Sequence, residues 1–290
     1  MSLLSPSLEA FIAIAKYHTV HQAADSLHLT QTAVTQRIRT LEEKLSISLF
    51  IRSRKGMQLT EEGKALLRYC QATKMLEKDC MDQIFGTNDK SIIRVKITAP
   101  SSIMNSRVIP NTSAILKRFP NLRVTFDTED SNIRNSLLSK GEVDFAVLHQ
   151  EQVTREMQKK VLKAETYYLI GSKNLSNQPI EEIVQSNTII DFDETDQATF
   201  SYLKQFNLFN DCQKERYFIN NIESLIVLLR AGIGYTVLTH DSLNQIKDDD
   251  FKRHLCILNG GKTYQQAIAL CWYLRPNMPK YFRAIIDSIN

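Results

Sequence analysis

A cluster of hydrogen-bonding side chains between residues 30 and 39 carries the clearest chemistry in this sequence. Its members recur at the spacing of one helical face and are Gln31, Thr32, Thr35, Gln36 and Arg39. Gln can make paired hydrogen bonds to an adenine edge, and Arg to a guanine edge, in the major groove of DNA. The pattern therefore predicts a base-reading surface, although an ordinary solvated helix also carries polar residues on its outer face.

The same segment has an apolar side that would hold such a helix in place. Ala33 or Val34 begins an apolar stripe that continues at spacings of three and four through Ile38, Leu41 and Leu45. Thr30 stands at the N-cap position of this helix. It is included with the polar residues as a candidate for DNA contact. An amphipathic helix from about residue 31 to 45 is predicted.

Two further helices are predicted before it. Ser5 followed by Pro6 is typical of a helix start, and the first helix should end near Tyr17. A short helix from about 20 to 27 has two adjacent alanines, at positions 23 and 24, and small side chains allow helices to cross closely. With a turn at 28–29, these segments predict a helix-turn-helix.

The residues that follow predict a two-stranded wing. Apolar positions near 49–51 and 57–59 flank a turn that contains three cations, Arg52, Arg54 and Lys55. Cations at the tip of a hairpin suit contacts with DNA phosphates, which add affinity without reading sequence. A solvated charge cluster is the alternative if the preceding helix is set aside.

These residues together resemble the DNA-binding region of LysR-type transcriptional regulators. The matching positions are Phe11, Ala23, Ala24, Leu27, Thr30, Gln31, Ala33, Val34, Thr35, Ile38, Leu41, Glu42, Leu49, Phe50, Arg52, Leu59, Thr60 and Gly63. The sequence departs from the usual family residues at three places. His18-Thr19 replaces Gly-Ser, Thr32 replaces a frequent Pro or Ser, and Ser46 replaces Gly. These changes concern the geometry of the turns between helices. The resemblance implies a winged helix-turn-helix domain at 1–60, double-stranded DNA as partner, a homodimer that pairs into a homotetramer, and RNA polymerase as a further candidate partner.

A long helix is predicted after the wing. Thr60 should cap it, and Glu61 and Glu62 suit the positive end of its dipole. A seam with spacings of three and four runs along it through Leu66, Cys70, Thr73, Leu76, Cys80 and Ile84. The resemblance implies that 61–90 form a dimerising linker helix and hinge, while packing on its own domain is the alternative.

From residue 91 onward, short strands alternate with helices, which predicts an α/β fold with parallel strands. The family resemblance implies a two-lobed, periplasmic-binding-protein-like sensor, with lobe 1 at about 91–163 and 262–290 and lobe 2 at about 164–261. A small-molecule effector would bind between the lobes. The residues that the family layout assigns to it are Ser101, Ser102, Glu129, Asp130, Leu148, Phe192, Asp193, Glu194, Asn220, Asn221 and Gly234.

Acidic residues after two predicted strands bear on the charge of this effector. They lie at 127–130 and 191–196, and converging carboxylates would favour a cationic ligand. The segments around them also resemble the lysine- and arginine-responsive branch of the family, which controls an arginine exporter. Lysine or arginine is therefore the hypothesised effector, and solvated loop acids are the alternative.

Composition sets outer limits on the class of protein. The net charge is +4, of which residues 1–60 contribute +3, and the longest apolar run is far shorter than a membrane span. No signal peptide is evident, and five scattered cysteines form no Cys-x-x-Cys pair. We expect a cytoplasmic protein with reduced thiols, no membrane association, no metal site and no cofactor besides the effector.

Two other classes compete with a regulator. An enzyme is one, but Gly232-x-Gly234 lacks the third glycine of a dinucleotide fingerprint, and His18-x-x-His21 lacks further metal ligands. We therefore expect no catalytic residues. The other is a cytoplasmic small-molecule-binding protein whose N-terminal helices bind a different partner.

Overall fold

A computed structural model describes residues 4–53, 56–85, 92–129, 131–246, 248–275 and 278–290. Three predicted site residues, Arg54, Lys55 and Asp130, lie outside this part of the chain, as does the predicted hinge at 86–91. The chain divides into two compact units. The first comprises 1–100, 108–160 and 270–289, and the second comprises 101–107 and 161–269 with Asn290.

The helices and strands are numbered in chain order. The helices are α1 Pro6–Tyr17, α2 Val20–Ser26, α3 Gln31–Leu45, α4 Glu61–Phe85, α5 Ser101–Ile103, α6 Ile109–Arg118, α7 Ser131–Ser139, α8 Ile180–Ser186, α9 Ala198–Gln205, α10 Ile222–Arg230, α11 His240–Leu243, α12 Asp248–His254 and α13 Lys280–Ser288. The strands are β1 Phe50–Ser53, β2 Gly56–Leu59, β3 Ile93–Thr98, β4 Leu122–Asp127, β5 Phe145–His149, β6 Met157–Val161, β7 Glu165–Ser172, β8 Ile189–Asp191, β9 Arg216–Phe218, β10 Tyr235–Thr239, β11 Leu255–Ile257, β12 Thr263–Gln266 and β13 Ile268–Tyr273.

The three N-terminal helices form the predicted helix-turn-helix, and each begins at a capping hydroxyl. The side chains of Ser5, Thr19 and Thr30 accept hydrogen bonds from backbone amides in the first turns of α1, α2 and α3. His18 and Ser46, which replace the usual family glycines, adopt left-handed backbone conformations with φ of 60° and 54°. The turns therefore keep their geometry without glycine.

The core of this domain is built from the predicted apolar stripes. Val34, Ile38 and Leu41 of α3 are buried against α1, and the alanines at positions 23 and 24 of α2 are almost completely inaccessible. Cys70 of α4 belongs to the same core, and Leu66 packs against it. The first half of the predicted α4 seam therefore packs on its own domain, whereas Leu76 and Ile84 farther along remain exposed.

The wing is an antiparallel hairpin of β1 and β2 that is tied to both sides of the domain. The amide of Met57 donates to the carbonyl of His18 at 2.7 Å, and the amide of Leu49 donates to a Glu42 carboxylate oxygen at 2.6 Å. The first bond joins β2 to the end of α1, and the second joins the start of the wing to α3. The wing is thus fixed relative to the helices.

The first unit also contains a five-stranded sheet with the order β4-β3-β5-β13-β6. Strands β3 and β4 are parallel, as are β3 and β5, in agreement with the predicted α/β pattern. β5 is buried from Phe145 to Leu148, as expected for a central strand covered on both faces. The C-terminal strand β13 returns to this sheet as predicted, whereas β6 was not predicted.

The second unit has a mixed sheet, in which the parallel pairing expected from the alternating pattern is accompanied by antiparallel pairs. Its strand order is β11-β7-β10-β8-β9, with β12 also paired to β7. Strand β7 is antiparallel to β10, β11 and β12, while β8 is parallel to β9 and β10. β12 lies in the range that the sequence assigned to lobe 1, yet it pairs with β7 in this sheet, in register with Tyr167 and Tyr168. This pairing joins segments about 100 residues apart, so local sequence patterns do not reveal it.

Other global expectations can be compared with the described residues. The five cysteines, all of them described, are free thiols. Among the described residues, no helix combines the length and apolar character that crossing a membrane requires.

Candidate DNA-binding and effector sites

Helix α3 presents its polar face to solvent. Burial of its apolar stripe turns the other side outward, and the exposed residues on that side include Gln31, Thr32, Thr35, Gln36 and Arg39. Thr30 is also exposed, but its hydroxyl accepts a hydrogen bond from the amide of Ala33 at 3.2 Å. Thr30 therefore caps the helix, and the other five form a continuous donor-rich surface.

Two of these side chains are held by neighbours that the sequence analysis did not identify. The Gln31 amide nitrogen lies 3.3 Å from Nδ1 of His21, and Nε2 of His21 lies 3.6 Å from an Asp25 carboxylate oxygen. Arg39 donates from Nε to Glu43 at 2.8 Å, one helical turn later. Their orientation is therefore set partly by α2 and by the C-terminal half of α3.

A groove between α3 and the wing brings two predicted cations together. Its lining includes Thr35, Arg39 and Glu42 from α3 and Arg52 and Met57 from the wing. Arg52 itself is exposed on β1. The structure thus places a helix residue predicted to read bases and a wing residue predicted to contact phosphate on one surface.

In the first unit, the predicted effector residue Glu129 contacts a buried arginine that was not predicted from the sequence. Arg134 of α7 is only 4% exposed and donates to the carbonyls of Glu129 and Val147. Leu148 has no exposed surface, and Glu129 is partly exposed. Arg134 lies in a short helix that also carries apolar residues. A charged residue at a core-facing position of that helix is the sequence feature from which a buried cation could have been predicted.

The pKa of His149, at the end of β5, is lowered by burial and by this cation. Burial lowers the pKa of its imidazole to about 4, and the positive charge of Arg134 acts in the same direction. Nδ1 of His149 has no hydrogen-bond partner among the described residues. The imidazole is therefore neutral at pH 7.

In the second unit, the predicted residues Ser101 and Ser102 lead to a buried carboxylate. Ser102 Oγ donates to Glu165 at 3.5 Å, and the Tyr167 hydroxyl donates to its other oxygen at 3.1 Å. Glu165 is 2% exposed, while Ser101 is exposed. Burial and the negative charge of Glu165 raise the pKa of Tyr167, so its phenol stays protonated. Glu165 is the first residue of β7, where buried and partly buried positions alternate. It was not predicted from the sequence.

The acidic loop after β8 is organised around Arg216. The Arg216 guanidinium pairs with Asp191 at 2.7 Å and donates to the carbonyls of Asp196 and Glu194. It also lies over the rings of Phe200 and Phe218, at 4.6 and 5.0 Å from their centroids. Arg216 therefore pairs with the Asp191 carboxylate and holds the rest of this loop through backbone carbonyls.

The acids of this loop differ in their surroundings. Burial raises the pKa of Asp191 to about 6, although the Thr199 hydroxyl and Arg216 oppose this shift. Asp193 accepts hydrogen bonds from Thr195 and from the amide of Asp196, which closes a tight turn. Glu194 has an exposed side chain, and Phe192 packs partly into the core.

The last three predicted effector residues take part in backbone geometry. Asn221 caps α10 by accepting from the amide of Ser224 at 3.0 Å, and Asn220 beside it is exposed. Gly234 has φ +79°, and a Cβ there would lie 2.0 Å from the carbonyl oxygen of Thr188. Only glycine fits that position without moving the backbone.

Two transcriptional regulators and one solved structure are similar to this chain over most of their length. The nitrogen assimilation regulatory protein nac of Klebsiella aerogenes is 25% identical over 82% of this chain and 79% of its own length. The HTH-type transcriptional regulator ArgP of Enterobacter sp. is 25% identical over 98% of this chain and 94% of its own. A full-length structure of LysG from Corynebacterium glutamicum with bound effector Arg has a TM-score of 0.69 at 16% identity, covering 99% of this chain and 96% of that one.

Two family models match nearly the entire sequence. The model of the bacterial regulatory helix-turn-helix protein of the lysR family matches residues 6–64, which span α1 to the start of α4. The model of the LysR substrate binding domain matches residues 92–290. The chain belongs to the LysR family of transcriptional regulators, with a helix-turn-helix domain followed by an effector-binding domain.

Proposed function

We propose that this regulator reads double-stranded DNA through the exposed face of α3 and responds to a basic amino acid, lysine or arginine. In this proposal it works in the cytoplasm as a homodimer that pairs into a homotetramer, contacts RNA polymerase and catalyses no reaction. The observation that carries the DNA part is the outward donor face of α3 opposite its buried stripe. Turnover in a broad substrate screen would contradict the non-enzymatic part.

The DNA part is tested with single substitutions on α3 and the wing. Gln31→Ala and Arg39→Ala should each cost about 1 to 3 kcal/mol on a selected DNA site and much less on random DNA, because base contacts carry sequence information. Arg52→Ala should weaken both DNAs alike and reduce the salt dependence, as expected for a phosphate contact. Fluorescence anisotropy at several salt concentrations measures both quantities. Equal losses on both DNAs for all three variants would contradict base reading by α3.

The effector part rests on the buried carboxylate and on two relatives. Glu165 is held by the hydroxyls of Ser102 and Tyr167, and a carboxylate in such a place attracts a cationic group. ArgP is a relative along nearly the whole chain, and the LysG structure contains arginine. The buried Arg134 and the pairing of Asp191 with Arg216 are the observations that favour an anionic effector instead.

Thermal melting of the full-length protein decides between these effectors. Lysine or arginine at 100 times its dissociation constant should add about 2.7 kcal/mol of stability and raise the Tm. Glu165→Gln should remove that rise, while Glu181→Gln, which deletes the same charge at an exposed position of α8, should retain it. A rise with glutamate or citrate and none with lysine or arginine would contradict the proposed effector.

A further inference from the structure

The start of the recognition helix α3 is coupled to α2 through three side chains. His21 lies in the first turn of α2, and Asp25 lies one turn later on the same helix. Gln31 is the first residue of α3. The turn between the helices places Gln31 Nε2 at 3.3 Å from His21 Nδ1, with His21 Nε2 at 3.6 Å from Asp25. The three polar groups thus form a chain from α2 to the proposed base-reading face.

The chemistry of these groups fixes how the Gln31 amide is oriented. The Asp25 carboxylate oxygen lies 3.6 Å from Nε2 of His21, beyond hydrogen-bond distance, and its nearby negative charge favours the imidazole tautomer with the proton on Nε2. Nδ1 of the same ring is then an acceptor, and it takes a hydrogen bond from the Gln31 amide nitrogen. The amide oxygen of Gln31 and its second N–H remain available on the opposite edge.

That free edge matches one base. Paired recognition of adenine requires an amide that accepts from N6 and donates to N7 with its oxygen and one N–H together. The contact with His21 needs only one of the two N–H groups on the Gln31 amide nitrogen, so the oxygen and the second N–H remain for the adenine pair, and the contact opposes rotation of the amide by 180°. A rotated amide would present its oxygen to Nδ1, where two acceptors would face each other.

We propose that His21 and Asp25 are positioning residues that hold Gln31 in the orientation that selects adenine. This inference rests on the proposed function, namely that α3 enters the major groove. The side chains of His21 and Asp25 are 69% and 66% exposed in the free protein. Contact with DNA would exclude water from this chain of groups, and hydrogen bonds strengthen when solvent is excluded.

The test begins by selecting a binding site for the full-length wild-type protein from a random oligonucleotide library. Dissociation constants are then measured for the selected site and for all single base-pair changes. The position that loses discrimination in Gln31→Ala is the base that Gln31 reads. We expect adenine there, preferred by roughly 5- to 150-fold, the range for a good paired contact.

Variants of the two positioning residues separate orientation from general stability. His21→Ala and Asp25→Asn should reduce the adenine preference at that one position while leaving preferences elsewhere unchanged. The double variant His21→Ala with Gln31→Ala should lose no more discrimination than Gln31→Ala alone. His28→Asn is the matched control, because it removes another exposed imidazole from the motif, and asparagine tolerates the left-handed φ of 55° found there.

The outcomes distinguish this inference from the function on which it depends. If His21→Ala weakens binding to every sequence equally, or leaves the adenine preference intact while Gln31→Ala abolishes it, the positioning role is wrong and the proposed function stands. If no selected site binds more tightly than random DNA, base reading by α3 is wrong, and the inference is overturned with it.

Discussion

At the scale of single residues, His149 shows how burial, together with a neighbouring cation, changes the pKa of a side chain in the effector-binding domain. Its imidazole is largely enclosed near the guanidinium of Arg134, and both burial and that charge disfavour protonation. The consequence is a pKa of about 4, whereas an unfolded histidine titrates near 6.5. The unfolded chain therefore binds more protons than the folded chain between these two pH values.

We predict that acidification through this window destabilises the protein by way of His149. Stability from the neutral imidazole is fully present above pH 6.5 and decreases as pH falls toward 4, reaching a loss on the order of 3 kcal/mol. Urea unfolding at pH 7 and pH 5 measures the part of this loss that falls between those pH values, about 2 kcal/mol. His149→Gln should show a smaller decrease than the wild type, and parallel pH profiles for the two proteins would contradict the prediction.

At the scale of elements, the wing and α4 meet at a glycine. Gly63 lies in the first turn of α4, where its amide donates to the Thr60 hydroxyl at 2.9 Å. A Cβ at Gly63 would stand 2.3 Å from the Leu49 carbonyl oxygen and 3.0 Å from a methyl group of Leu59. The helix therefore crosses the backbone before the wing too closely for any side chain.

We predict that Gly63→Ala reverses the usual effect of this substitution in a helix. Alanine ordinarily stabilises a helix relative to glycine by about 1 kcal/mol, whereas here the clash with backbone should destabilise the domain by about 1 to 3 kcal/mol. Circular dichroism during thermal unfolding measures the change. Ala65→Gly, at an exposed position two residues later, is the control and should cost about 1 kcal/mol through propensity alone. A stabilised Gly63→Ala variant would rule out the close crossing.

At the scale of the whole molecule, distant segments of the chain are joined by one buried ion pair in the first unit. Arg275 follows β13 and is 1% exposed on its side chain, and it donates to Asp144 at 2.6 Å. The other oxygen of Asp144 accepts from the amide of Lys96 in β3 at 2.9 Å. The Arg275 guanidinium also lies 4.1 Å from the ring centroid of Phe282 in α13. The pair thus joins three segments of the sequence.

We predict that Asp144→Ala destabilises the protein by about 3 to 5 kcal/mol, because it leaves the Arg275 charge buried without this carboxylate. Urea unfolding of the full-length protein provides the measurement. Glu61→Ala breaks an exposed pair with Lys64 on α4 and should leave stability nearly unchanged. Similar midpoints for the two variants would show that the Asp144 pair is not important for holding these segments together.

Much of the N-terminal domain could be predicted from the sequence, because local interactions decide it. Ser5 and Thr30 cap their helices through amides three residues away, and the stripe from Val34 to Leu41 follows the helical period. The outward polar face of α3 follows from the same periodicity. The wing could also be predicted from the sequence, because a short turn between apolar residues specifies a hairpin.

Side-chain contacts between segments could not be predicted in this way. Arg216 pairs with Asp191 across 25 positions, Ser102 contacts Glu165 across 63, and Gln31 meets His21 only because the turn folds α2 against α3. Each contact needs a strand register or a helix crossing, and neither is encoded by local spacing. The mixed sheet of the second unit has the same origin.

By itself, the sequence therefore determined the helix-turn-helix, the apolar stripes and the family, because capping and hydrophobic periodicity act over a few residues. Only the tertiary structure decided which charged groups are buried and which pair with another charge in the chain. It placed Arg134 and Glu165 in buried surroundings and paired the Asp191 carboxylate with Arg216. The physical reason is that burial and charge pairing depend on distances through space, which folding sets by bringing remote segments together.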